Sequence, residues 1–183
     1  MKTTRLTLTS APIRFTRTGL SFLLLIFLQS SCDTAAPGGS TAADERAIRH
    51  LVTHFADAVV TADREAFAGL WVEDASWRIA PPIDAEFTGR EEIARGFAGL
   101  MESWEFLIQV PEYSIIDIGQ DSASGRWLVR EMGRGRGGGG QRNYGLYQDR
   151  YVRVGEQWRF VSRDYRFVHL DTSAVAGDYT AVQ

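Results

Sequence analysis

The chain has 183 residues, 44% of them hydrophobic and 11% aromatic, which is enough for one globular domain with a core and excludes disorder throughout. The first 32 residues hold Lys2, Arg5, Arg14 and Arg17 and no acid, which leaves 16 basic against 23 acidic residues in the remainder, a net of -7. That balance argues against nucleic acid as a partner.

Residues 1–32 read as an export signal, in which a basic stretch precedes "LSFLLLIFLQSSC". The apolar run from Leu20 to Leu28 is too short to span a bilayer. Cys32 is the single cysteine, so it has no intramolecular disulfide partner, and it stands where bacterial lipoproteins carry their lipid. Gln29 occupies the place where that pattern prefers Leu. Lipidation, plain signal cleavage and a spare thiol therefore all stay open. The expectation is an exported, periplasmic or cell-envelope protein that touches the membrane only through a lipid at Cys32. Residues 33–43, "DTAAPGGSTAA", suit a flexible tether.

The folded domain is expected over residues 44–169. Ile48, Leu51, Val52, Phe55 and Val59 recur with helical spacing, which predicts a helix over 44–62 with Thr41 and Asp44 as its capping box. Asp63 starts a second short helix carrying Phe67, Leu70 and Trp71. "ASWRIA" is a strand stopped by Pro81-Pro82, and "AEFTG" is a brief second one. Ile93, Phe97, Leu100, Met101 and Trp104 mark a third helix from Arg90. Strands follow over 106–118, 122–133, 142–154 and 157–169, joined by hairpins. The glycine run "GRGRGGGGQ" leads into a strand, not a helix, so it reads as a hairpin bend and not a phosphate loop. Residues 170–183 are small and polar and are expected to fray.

Three helices before four antiparallel strands, with "LWVEDASW", "FTGREEI" and "YGLYQDRYVRVGEQWRFVSRDYR" in that order, resemble the SnoaL-like branch of the nuclear transport factor 2-like superfamily. The resemblance implies an α+β cone, a curved antiparallel sheet wrapped around the helices with an apolar pocket at one end. It also implies a homodimer paired through the outer sheet face, and chemistry without metal or organic cofactor. Enzymes of this branch, dehydratases and dehydrochlorinases, use an Asp on the first helix to orient a proton-abstracting His on the first long strand. The matching positions here are Val60 and Gln109, which lack that chemistry. Asp57 and Asp63 read as a solvated side chain and a helix cap. Arg163 falls where the dehydrochlorinase places a pocket arginine; a cross-strand ion pair is its other reading.

Glu131 shares a strand face with Trp127 and Val129 in "GRWLVREMG", so it is either a base in an apolar cavity or the partner of Arg126, Arg130 or Arg163. Tyr147, Asp149 and Tyr151 alternate on one face, as do Arg163, Tyr165, Phe167 and His169; either these faces line the cone or they lie outside at a dimer contact. Glu131, Asp149 and Arg163 are the candidate catalytic groups. Trp77, Gln109, Tyr113, Tyr147 and Tyr165 are the candidate contacts to a small apolar or aromatic molecule. His50 and His54 have the spacing of a metal pair, but the intervening Glu of a metalloprotease helix is missing and both lie off the apolar stripe. The expected function is binding of that molecule, with proton-transfer chemistry of dehydratase, isomerase or cyclase type; the alternative is a non-catalytic carrier or assembly module.

Overall fold

The computed structural model describes residues 38–181. The expected export signal with Cys32, and residues 33–37 of the expected tether, lie outside the described residues. Helix α1 spans Gly38–Thr61, so residues 38–43 belong to it and not to a tether. The two alanines before Asp44 are strong helix formers and carry the helix back past the expected start. Asp44 lies inside the helix; it pairs with Arg153 at 2.7 Å and accepts a hydrogen bond from Trp158 Nε1 at 3.2 Å.

Asp63 accepts from the Ala66 N–H and opens α2, Arg64–Ala68. Trp71 departs from the helical spacing that groups it with Phe67, because Gly69 ends α2 and Trp71 begins β1, Trp71–Ile79. Strand β2 is Ala85–Thr88 and α3 is Arg90–Glu102. Trp104 likewise falls beyond its expected helix and opens β3, Trp104–Ile118. Strands β4, Ser122–Gly135, β5, Gly140–Val154, and β6, Gln157–Asp171, complete the chain of elements. The glycine run is the β4–β5 bend, tightened to residues 136–139, with Gly138 at φ 84°, a conformation that favours glycine.

The six strands form one sheet in the order β2-β1-β6-β5-β4-β3, antiparallel throughout except for the parallel β1–β6 pair. The apolar stripe of α1 packs on its inner face. Phe55 touches the rings of Trp71, Trp77, Tyr147 and Phe160, and Phe67 stacks on Phe97 at 3.8 Å to join α2 to α3. Burial of each such ring contributes about 1.5–3 kcal/mol. The C-terminal segment does not fray as expected. Val175 is buried, Arg134 donates to the Val175 and Gly177 carbonyls, and Tyr179 stacks on Phe106. Arg142 also donates to Ser173 Oγ and the Ala174 carbonyl, so two strand arginines give this small, polar segment the partners that its own composition does not supply.

Candidate functional site

The strand register assembles a polar row. Gln109 of β3 faces Glu131 of β4, which faces Asn143 of β5. All three are nearly buried. Gln109 Nε2 donates to Glu131 Oε1, while Asn143 Nδ2, at 2.6 Å, and the Tyr165 hydroxyl donate to Oε2. Asn143 also donates to the Tyr165 oxygen, and Gln141 donates to Asn143 Oδ1 at 2.6 Å, which fixes the direction of the Asn143 amide. Gly145 makes this possible, because a Cβ there would lie 2.2 Å from the Tyr165 ring. Without a side chain at that point, the ring crosses β5 and its hydroxyl reaches Glu131.

Above this row lies a half-open cavity of about 60 Å³, walled by Phe55, Val59, Trp77, Ile79, Phe97, Leu100, Met101, Trp104, Leu107, Tyr147, Tyr165 and Phe167, with Ile83 at its rim. Gln109, Glu131 and Gln141 are its polar lining beside the two phenols. Glu131 is thus its one carboxylate, and no Lys, Arg or His among the described residues lies within ion-pair distance of it. Arg130 is taken by Glu112 and Arg163 by Asp149. Burial pushes the Tyr147 and Tyr165 phenols well above their ordinary range, with the Glu131 charge adding to it, so both are protonated donors at neutral pH. Tyr147 accepts from Gln109 Nε2 at 3.2 Å, and its own proton meets no acceptor among the described residues. Trp77 Nε1, on the wall, is likewise without a hydrogen-bond partner.

Asp149 and Arg163 are brought together, but behind the wall. Neither lines the cavity, because Tyr147 and Phe55 stand in front of them. The Arg163 guanidinium is fully buried, with its carbon 3.7 Å from the Tyr147 ring centroid, 4.0 Å from that of Phe55 and 4.7 Å from that of Phe160. Its Nε is 3.2 Å from Asp149 Oδ1, an ion pair without the alignment of a hydrogen bond. Asp149 Oδ2 accepts from the Tyr151 hydroxyl at 2.7 Å. Burial pushes the Asp149 carboxyl up to about 6, against the opposing pull of Arg163.

Tyr147, Asp149 and Tyr151 are all buried, but of the three only Tyr147 lines the cavity. Tyr113 is the expected wall residue that the structure moves away. It is 54% exposed on the opposite face, because a bulge between Pro111 and Tyr113 inserts Glu112 and reverses the alternation. Val60 is half-buried beside the cavity-lining Val59, and Asp57 and Asp63 are exposed. His50 and His54 face solvent, and no metal-holding cluster of His, Cys, Asp or Glu exists among the described residues. Asn143, Gln141 and Gly145 belong to the site without having been singled out in the sequence. They continue the Tyr147 face backwards at every second residue, which is the signal that marks them.

Helices laid on an open, mostly antiparallel sheet, with an aromatic cavity over one buried carboxylate, define an α+β pocket domain. The chain belongs to the SnoaL-like domain family, whose model matches residues 40–164, within the nuclear transport factor 2-like superfamily. Among solved structures it resembles a protein of Novosphingobium aromaticivorans proposed to be a scytalone dehydratase, with 24% identity over 76% of this chain and 93% of that one and a TM-score of 0.67. A hexachlorocyclohexane dehydrochlorinase, LinA type 2, gives 20% identity over 79% and 97% of the two chains and a TM-score of 0.68. The LinA-type3 enzyme of Novosphingobium barchaimii gives 19%, 80% and 99%, and 0.67. At these identities the likeness establishes the fold. No functionally curated protein matches the sequence.

Proposed function

We propose that the domain binds a small, largely apolar molecule in the cavity and that Glu131 accepts a proton from it, in cofactor-free chemistry of dehydratase, isomerase or cyclase type. The observation that carries this is a buried carboxylate on an aromatic wall, held by three neutral donors and no cation. Oε1 accepts one hydrogen bond, so a carboxylate lone pair remains on that oxygen for a bound proton donor. Tyr147 supplies an unused donor for an oxygen of the same molecule. At about 60 Å³ the cavity takes a ring only if flexible rim groups such as Met101 move aside.

The test is deuterium incorporation into small cyclic ketones in heavy water. The wild type is expected to catalyse exchange and Glu131→Gln to lose it. Ligand binding without exchange supports the second reading, a carrier, which the valine and glutamine at the relatives' Asp and His positions favour. Absence of both binding and exchange overturns the proposal. Export through residues 1–32, with Cys32 either lipidated or removed with the signal, is part of the proposal; the intact mass of the mature protein tests it. So is a homodimer through the outer sheet face, where Tyr113, Ile115, Met132, Tyr144 and Val168 are exposed.

A further inference from the structure

We infer that the ligand of the cavity is an organic cation, a small primary amine bearing an alkyl or aryl group. This rests on the cavity being a ligand site and on nothing in the catalytic half of that reading. The wall holds one carboxylate and no Lys, Arg or His, and Arg163, the buried cation nearest to Tyr147, is already paired with Asp149. An anionic ligand would meet like charge at Glu131 with nothing to offset it. A neutral ligand would leave the carboxylate without a counter-ion in an apolar space, which is its costliest condition. A ligand ammonium matches both deficits. Its N–H groups reach the open lone pair on Oε1, and the faces of Trp77, Trp104, Tyr147 and Tyr165 surround the remaining charge.

The desolvation of Glu131 is borne by the fold itself, since Gln109, Asn143 and Tyr165 hold the carboxylate in place. Binding then adds an ion pair without reorganising the carboxylate. The amine and a carbon acid compete for the same oxygen, so the amine is also an inhibitor of any exchange that Glu131 performs.

Benzylamine, benzyl alcohol and benzoate have nearly one shape and three charges, so titration of each into the full domain, read by calorimetry and tryptophan fluorescence, separates charge from fit. Benzylamine is expected to bind about ten- to a hundredfold more tightly than benzyl alcohol, and benzoate more weakly than either. Glu131→Gln is expected to abolish the preference, so that benzylamine binds the variant no more tightly than benzyl alcohol does. If benzyl alcohol binds the wild type as tightly as benzylamine, the amine inference is overturned while the ligand site stands. If none of the three binds, both fall. The wild-type series decides alone should the variant fail to fold.

Discussion

Arg163→Met removes a guanidinium that is fully buried between aromatic rings and leaves a side chain of comparable length in its place. Packing is largely retained, so the cost falls on Asp149, whose side chain is also fully buried and loses its counter-ion. Stranding one member of a buried pair costs about 3–5 kcal/mol, a large part of a domain's usual stability. The cost depends on pH in a definite direction. The Asp149 carboxyl titrates at about 6 in the folded protein against an ordinary 3.8. The folded state therefore holds a proton that the unfolded chain has released, and the stability this confers is full at the acid end and lost as pH rises through 6. Arg163 holds that carboxyl down, so its removal moves the folded value further up and extends the protonated window. The deficit of the variant against the wild type is thus largest at about pH 7.5 and shrinks at about pH 5, where a neutral Asp149 no longer needs a partner. Urea unfolding followed by circular dichroism at both pH values measures it. A deficit below about 1 kcal/mol at the higher pH, or one of equal size at both, would refute the reasoning.

Gly145→Ala places a methyl group 2.2 Å from the Tyr165 ring, so the ring must swing and its hydroxyl leave Glu131. The expected result is a loss of about 1–3 kcal/mol in thermal or urea unfolding together with weakened ligand binding; unchanged stability sinks the assigned role of this glycine. Arg134→Ala deprives the Val175 and Gly177 carbonyls of their donor, and amide exchange over residues 173–179 should accelerate while the sheet core stays protected. Equal exchange in both proteins would return the segment to a self-sufficient structure. The exposed outer-face residues Tyr113 and Ile115 predict a wild-type dimer in sedimentation, split by Tyr113→Glu, and a monomeric wild type at high concentration would end that proposal.

Periodicity carried most of the fold. The helical stripe of α1 and the four long strands are set by the alternation of apolar residues, and the structure extends them by a few residues at their ends. The errors cluster where one residue changes the period. Trp71 continues a helical spacing past Gly69, and only the glycine shows that the chain has left the helix. Tyr113 continues the Gln109–Pro111 face in sequence, but the extra residue at Glu112 turns it outward, and no local feature of "VPEYS" announces the insertion. The ionic partners were less legible still. Glu131 has three arginines as candidates in the sequence, and which of them takes another acid is decided by register between strands far apart in the chain.

The register also bears on the missing Asp and His of the enzymatic relatives. Gln109 stands where the resemblance places the histidine, and its side chain is not idle: it donates to Glu131, the residue directly opposite on β4. On the proposed reading, a carboxylate aligned by a neighbouring amide stands in for an imidazole aligned by a carboxylate, one strand over. Glu131 differs from an imidazole in that it gains a negative charge, not a neutral ring, on giving up its proton, and it does so where no protein cation balances it. On the proposed reading, the electrostatics of this pocket favour a positively charged guest. The charge of the preferred ligand is where that reading would be measured.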